Sequence, residues 1–171
     1  MPNWCDNTLY LSHPDPAMMK KAVDAWNQRE FLSVMCPEPD YETTPVFPTY
    51  PEIVGSNDPV VPKQAWWDWR VQNWGTKWDI GYDTARDNEA VLTNGQMVVS
   101  FDSAWSPPTG AYDTLVDQGY SVIGYYCEYG CDFCGKYDEG GDECYKISEG
   151  NLPHDIDDEF NITETMAEWN S

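Results

Sequence analysis

The stretch SPPTGAYDTLVDQGYSVIGYYCEYG, residues 106–130, joins a complete helix signal directly to a complete strand signal. Ser106 is a residue type that caps helices, two prolines follow it, and Gly119 is placed to end the helix. Residues 120–130 are rich in tyrosine, valine and isoleucine, which favour strands. The stretch therefore predicts a helix over 106–119 followed by a strand over 120–130.

The N-terminal part of the chain carries a matching pattern. WCDNTLYLS, residues 4–12, predicts a strand, and one side of it holds three apolar residues, Cys5, Leu9 and Leu11. Asp15 is a candidate N-cap with Pro16 at the first helical position, and the helix continues through AMMKKAVDAWNQRE, residues 17–30. FLSVMCPEP, residues 31–39, is interpreted as a second strand that two prolines terminate.

The middle of the chain is less regular. Residues 37–62 contain seven prolines and no lysine or arginine, which indicates an irregular insertion. KQAWWDWRVQNW, residues 63–74, predicts a helix that Gly75 ends. Three strands are predicted over 79–84, 88–93 and 96–102, the last two joined by an Asn94-Gly95 hairpin turn. Further on, the sequence predicts a hairpin from 133–140 and 143–148 and a final helix over 161–169.

These elements order as β-α-β, an insertion, then β-α-β with an appended hairpin. The order predicts an α+β fold: a ferredoxin-like antiparallel sheet with helices on one face. We expect one domain over 1–148, with the insertion at about 37–78, and an acidic C-terminal tail over 149–171.

The composition indicates a folded, strongly acidic protein. Aromatic residues make up 15% of the chain, and 30 acidic side chains against 9 basic ones give a net charge of −21. Such a charge repels nucleic-acid backbones, so direct nucleic-acid binding is not expected, whereas a basic protein surface would attract it. The sequence predicts no signal peptide and no membrane span, and we expect a cytoplasmic protein with reduced cysteines.

Four sequence motifs occur in an order that resembles a known family. They are MPNWCDNTL (1–9), WRVQNWGTKWD (69–79), FDSAWSPPTG (101–110) and EYGCDFCGKYDEG (128–140). Together they resemble the YubB-type ferredoxin-like domain family of phages and plasmids, over Met1 to about Ile147. The resemblance implies the fold and an origin in a mobile element acting in a host cell. It implies no established activity.

Four cysteines lie close together at the spacing C-x3-C-x2-C-x9-C: Cys127, Cys131, Cys134 and Cys144. Four thiolates could hold a structural zinc ion, and the C-x2-C pair has the favoured spacing. A second C-x2-C pair, which zinc ribbons usually have, is missing. The family resemblance implies one cysteine at the position of Cys134, so the other three look like local additions. Buried structural thiols are therefore the favoured interpretation, with a zinc-stapled structural protein as an alternative and no other cofactor expected.

Tryptophans are concentrated in the helix over 63–74 and at the turn before the helix over 106–119. Four of them could form an aromatic platform for a nucleotide or a single-stranded nucleic acid: Trp66, Trp67, Trp74 and Trp105. The same residues could instead pack the insertion helix onto the sheet and onto the turn at Trp105, and this interpretation is favoured.

The acidic residues give the main functional hypothesis. From residue 130 to residue 171 there are 12 Asp or Glu against two Lys. We expect a partner-binding surface formed by Asp138, Glu139, Asp142, Glu143, Asp155, Asp157, Asp158 and Glu159. The predicted partner is a host protein with a basic surface, and a nucleic-acid-mimicking inhibitor of a host defence factor is one form of this hypothesis. The sequence has no phosphate-binding loop, dinucleotide fingerprint or H-E-x-x-H motif, and we do not expect an enzyme.

Overall fold

The computed structural model describes residues 3–41, 65–82 and 89–171. They form an antiparallel sheet of six strands in the order β2-β3-β1-β4-β5-β6. The strands are β1 Trp4–Ser12, β2 Leu92–Thr93, β3 Gln96–Ala104, β4 Ser121–Glu128, β5 Phe133–Asp138 and β6 Gly141–Tyr145. The helices are α1 Pro16–Asn27, α2 Phe31–Met35, α3 Ala65–Asn73, α4 Thr109–Asp117, α5 His154–Phe160 and α6 Ile162–Trp169. No helix in these ranges has both the length and the apolar character needed to cross a membrane.

The order of the elements gives the expected α+β architecture. Strand β1 is central, with β3 on one side and β4 on the other. The elements follow one another as β1-α1-α2-α3-β2-β3-α4-β4. With α2 and α3 taken as additions after α1, this order is consistent with the β-α-β-β-α-β pattern of ferredoxin-like domains, and β5 and β6 extend the sheet beyond β4. The predicted fold class is confirmed at this level, and so is the appended hairpin.

Several of the predicted local signals act as expected. The carboxylate of Asp15 accepts a hydrogen bond from the backbone N–H of Ala17 at 2.9 Å, which caps α1. Asn94 and Gly95 both have positive φ, as a two-residue hairpin turn requires. Gly119, with φ of 92°, follows the end of α4.

The predicted strand over 31–39 is wrong, because this segment contains helix α2. Its N-terminal amides are capped from a distant residue: the carboxylate of Asp79 accepts from Leu32 N at 2.7 Å and Ser33 N at 2.9 Å. Buried Phe31 and Met35 are four residues apart on the side of α2 that faces the core. A cap 47 residues away in sequence leaves no local signal that would predict a helix here.

Three other predictions need correction or fall partly outside the described residues. The predicted strand over 88–93 is reduced to Leu92–Thr93, and no strand forms over 79–82. The rest of the predicted strand over 79–84 and most of the predicted insertion lie outside the described residues, at 83–88 and 42–64. Ser106 does not cap α4, because its hydroxyl donates to the carbonyl of Gly75 at 2.5 Å instead. Helix α5 was not predicted from the sequence, while α6 matches the predicted final helix.

The sheet separates two hydrophobic clusters. On one face, Leu9 and Leu11 of β1 pack with α1, α2, α4 and the indole of Trp26, which forms the larger core. On the other face, Cys127 and Cys134 pack with Ile156 of α5 and with residues of α6. The last two helices therefore cover β4 and β5 on the face opposite α1 and α4. The prediction that the helices lie on one face of the sheet is wrong in this respect, because Ile156 and Ile162 of the acidic C-terminal segment pack against the second face.

Candidate functional site

One acidic residue of α5 and one of the β5–β6 hairpin pair with the same ammonium group, that of Lys136. The Nζ of Lys136 lies 2.9 Å from a carboxylate oxygen of Asp155 and 3.4 Å from one of Asp138. The hydrogen bond from Lys136 holds the pKa of Asp155 below its usual value, and the same bond raises the pKa of Lys136. We call the surface formed by Asp138, Glu143, Asp155 and Glu159 around Lys136 the acidic face.

Two tyrosines connect the carboxylates of the acidic face. The hydroxyl of Tyr125 donates to Asp155 at 3.3 Å, and the hydroxyl of Tyr10 donates to Glu159 at 3.1 Å. The two rings are in edge contact, with centroids 6.0 Å apart. These contacts fix Asp155 and Glu159 of α5 above strands β1 and β4. Sequence reasoning missed Lys136 and both tyrosines, since nothing in the spacing of the chain links them to α5.

The other predicted partner-binding acids occupy different positions. Asp157 accepts from the backbone N–H and the hydroxyl of Thr163, both at 2.7 Å, so it joins α5 to α6. Asp158 lies 3.2 Å from the ring of His154, and both are exposed. Glu139 is exposed in the hairpin turn.

Asp142 belongs to the other side of the sheet. It accepts from the hydroxyl of Tyr126 at 2.7 Å, and burial together with this carboxylate raises the pKa of Tyr126. Glu143, the next residue, points to the acidic face and accepts from Tyr145 at 2.9 Å. The eight acidic residues predicted to bind a partner therefore do not form one surface, because neighbouring residues on a strand point to opposite faces.

The four predicted ligand-binding tryptophans separate into two groups. Trp66, Trp67 and Trp105 are exposed, whereas Trp74 is fully buried and its Nε1–H donates to the carbonyl of Cys36 at 2.8 Å. Trp74 is therefore a core residue and cannot present its ring to a ligand. Its inclusion in the aromatic platform was wrong, because helical spacing does not reveal that the chain turns into the core directly after α3.

A cleft lined by several aromatic side chains lies where the segment after α3 approaches β1 and β3. We call it the aromatic cleft. Its volume is about 640 Å³, within the range of small-ligand sites. Its lining residues are Trp4, Ser33, Arg70, Trp78, Asp79, Tyr82, Asp102 and Ala104. Sequence reasoning did not include Trp4, Trp78 or Tyr82 among the site residues, since they are up to 78 positions apart and only the fold brings them together.

A smaller groove of about 230 Å³ lies next to the aromatic cleft and shares Ala104 with it. Trp67 and Trp105 line this groove, and Trp105 is held at φ of 72°, a conformation that bulky residues rarely adopt. Its backbone N–H donates to the carbonyl of Asn3 at 2.9 Å. The ring of Trp105 is nevertheless half exposed, so the strained turn does not serve to bury it.

The four cysteines predicted as possible zinc ligands do not form a cage. Cys127 and Cys134 are directly opposite one another on β4 and β5 and are buried, while Cys131 and Cys144 are exposed. The residue of β6 that faces Cys134 is Tyr145. Cys144 is next to Tyr145 in the strand, so its side chain points to the other face of the sheet. Within the described ranges, no three Cys, His, Asp or Glu side chains are grouped so that they could hold a metal ion. Burial raises the pKa of Cys127 to about 12 and that of Cys134 to about 11, which keeps both thiols protonated at neutral pH.

Comparison with family models, with curated proteins and with solved structures finds no match to this chain. The fold and the geometry of these surfaces are therefore what a functional assignment can use, and the resemblance to the YubB-type family stays a prediction.

Proposed function

We propose that this protein is a non-enzymatic binding protein that attaches to a basic protein surface through its acidic face. The observation that carries the proposal is the arrangement around Lys136, where carboxylates from α5 and from the β5–β6 hairpin are held on one side of the sheet by specific contacts. In the described parts of the chain, Lys136 is the only basic side chain that forms ion pairs with these carboxylates.

The hydrogen bonds that anchor the acidic face support this proposal over a merely solvated surface. Asp155 and Glu159 are each anchored by a tyrosine hydroxyl from the sheet beneath. Charges held in fixed positions can match the charges of a partner, whereas freely rotating surface carboxylates provide only a diffuse field. The overall charge of −21 would add fast, salt-sensitive association with a basic partner.

A nucleic-acid-binding protein is the partner class that best fits this surface. Asp155 and Glu159 are four residues apart on α5, which places them about 6 Å apart along the helix. Carboxylates on neighbouring turns of a helix can be contacted together by adjacent basic side chains of a protein that otherwise binds a row of phosphates. The protein would then occupy a cleft that normally holds nucleic acid. The resemblance to a phage and plasmid family supports placing the partner in the host cytoplasm, as a defence factor that the protein inhibits.

The two alternative functions have weaker support. A nucleotide site built on tryptophans loses Trp74 to the core, and its remaining members are surrounded by a repulsive field for phosphates. A zinc-stapled structural protein would need the cysteines to converge, and they are split between two faces of the sheet.

The test is affinity capture from a bacterial lysate with two charge variants of equal net charge. The acidic-face variant neutralises Asp138, Glu143, Asp155 and Glu159 as the corresponding amides. The control variant neutralises four acids that lie away from the acidic face: Asp24, Glu30, Glu89 and Asp117.

The proposal expects one host protein to be retained by the wild type and the control variant and lost by the acidic-face variant. Retention should also be lost in ~0.5 M salt, where the screening length falls to a few ångströms, and duplex DNA should compete for the same partner. A partner that stays bound to the acidic-face variant would contradict the proposal. If both variants lose the partner equally, binding depends on net charge alone, and the proposed role of the acidic face would be contradicted.

A further inference from the structure

The aromatic cleft is separate from the acidic face and has features that the proposed function does not use. Trp4, Trp78 and Tyr82 expose 49%, 39% and 58% of their surfaces in one place. The rings of Trp4 and Trp78 are in contact, with centroids 5.8 Å apart and planes tilted by 41°. Grouped exposed aromatic residues on a soluble protein mark an interaction site more often than isolated ones do.

Among the described residues, one guanidinium lines the aromatic cleft, and its charge is already paired. Arg70 donates from Nε and Nη2 to the two carboxylate oxygens of Glu38, each at 2.7 Å, and from Nη1 to the carbonyl of Lys77 at 3.3 Å. Burial alone would raise the pKa of Glu38, but the hydrogen bonds from Arg70 and Tyr41 lower it, so this ion pair stays charged and closed. Arg70 is therefore committed to Glu38 and has little capacity to bind an anionic ligand.

The carboxylate of Asp79, which also lines the cleft, has four hydrogen-bond donors that carry no charge. They are the backbone N–H groups of Leu32, Ser33 and Ile80 and the hydroxyl of Ser33. These donors fix the carboxylate without cancelling its negative charge. Together with the negative faces of the aromatic rings and the charge of the whole chain, it makes the cleft attractive to cations and repulsive to phosphates.

The protein itself shows what such surroundings bind. The guanidinium of Arg70 lies 5.0 Å from the ring of Trp66 and 4.8 Å from the ring of Trp74, with the carboxylate of Glu38 at its edge. Two tryptophans and one carboxylate thus hold a planar cation through stacking and paired hydrogen bonds. The aromatic cleft also offers two tryptophans and a carboxylate. The ammonium of Lys77 already lies 4.3 Å from the ring centroid of Trp78, so Trp4 is the tryptophan of the cleft on which the described contacts place no cation.

We propose that the aromatic cleft binds the guanidinium group of an arginine side chain supplied by a partner protein, which stacks on Trp4 next to the ring of Trp78. The inference rests on the proposed function in one respect only, namely that the partner presents a basic surface. It adds a second point of attachment with a defined chemistry, since a planar cation on an aromatic face requires short-range contact as well as charge. An ammonium group would gain less from the same rings, because it cannot stack.

The experiment uses the purified full chain and a small probe, so it does not depend on identifying the partner. N-acetyl-arginine amide is titrated while the nine indole N–H signals are followed by NMR, with each signal assigned from a tryptophan-to-phenylalanine variant. N-acetyl-citrulline amide has nearly the same shape without the charge, and AMP tests the nucleotide alternative. We expect saturable shifts at Trp4 and Trp78 with the arginine probe and none of comparable size with the other two.

Two variants test whether the rings of the cleft hold the probe. Trp4→Ala should weaken binding by about fivefold, the equivalent of ~1 kcal/mol for a cation on an exposed aromatic face. The matched control is Trp169→Ala, which removes a tryptophan of similar exposure at the end of α6 and should leave binding unchanged. Trp4→Phe keeps an aromatic ring and should retain most of the affinity.

Each possible result of the titration supports or contradicts a different part of the inference. Equal shifts with the citrulline probe would overturn the role of charge, and shifts produced by AMP would assign the cleft to nucleotides. The absence of shifts at Trp4 and Trp78 with the arginine probe would also overturn the inference. The proposed function is tested by a different experiment, the capture of a lysate partner with the acidic-face variant. Its outcome does not depend on the titration, so this inference and the proposed function can fail independently.

Discussion

Replacing Trp105 by glycine should be less damaging than replacing it by alanine, which reverses the usual order. Trp105 has φ of 72°, and an L-residue in this region brings its Cβ close to a carbonyl oxygen at a cost of ~1–2 kcal/mol. Alanine keeps this cost and glycine removes it. Both variants lose the half-exposed indole and keep the backbone hydrogen bond to Asn3, so their difference isolates the strain.

The magnitude follows from two opposing contributions. Glycine gains ~1–2 kcal/mol by relief of the left-handed conformation, and it loses ~0.4–1 kcal/mol because its unfolded chain is more flexible. Trp105→Gly should therefore be more stable than Trp105→Ala by about 0.5–1 kcal/mol. For a chain of this size, that corresponds to a difference in melting temperature of roughly 1–4 °C.

The assay is urea denaturation of both variants, with the free energy of unfolding taken at matched slopes. The same pair of substitutions at Trp169 serves as the control, since that residue ends helix α6. There alanine should be the more stable replacement, by up to ~1 kcal/mol. If Trp105→Ala proves as stable as Trp105→Gly, the turn is not strained, and the inference of strain from the positive φ of Trp105 is refuted.

Three further predictions concern the β5–β6 hairpin and the face that it supports. Gly135→Ala should destabilise the protein by about 1–3 kcal/mol in thermal unfolding, because its Cβ would collide with backbone and ring atoms of the neighbouring strands, whereas Gly140→Ala in the turn should change little. Asp155→Asn should cost under about 1 kcal/mol at pH 7. Since the pKa of Asp155 is lowered in the folded state by Lys136, this difference should be present above pH ~4 and disappear as the pH falls below it, when unfolding is compared at pH 7 and pH 2.5. A thiol reagent applied to the native protein at pH 8 should label two of the six cysteines, Cys131 and Cys144, and labelling of any other before unfolding would contradict the burial described here.

Sequence reasoning succeeded wherever the deciding interaction is local. Strand β1 was predicted from the alternation of its side chains, and Cys5, Leu9 and Leu11 do share the buried side. The start of α1 depends on Asp15 and on Pro16 next to it, and the β2–β3 turn depends on Asn94-Gly95. In each of these cases, the residues that fix the backbone lie within a few positions of the element they define.

The order of the elements was also sufficient for the fold class, because short connections between strands and helices allow few arrangements. The second half of the β-α-β-β-α-β pattern is visible in the sequence, whereas the first half was predicted with 31–39 as its second strand, and that segment contains helix α2. The reduction of β2 to Leu92–Thr93 was not, since propensity does not report how many residues find a partner on β3.

The sequence by itself determined the charge, the fold class and most of the regular elements of this protein. Only the tertiary structure decided which side chains share a surface. Asp142 and Glu143 are adjacent in the chain yet lie on opposite faces, while Trp4 and Trp78 are distant in the chain yet touch. The physical reason is that a helix or strand forms from contacts within a few residues, whereas a binding surface forms where separate elements pack together, and the pairing register of the strands sets that packing.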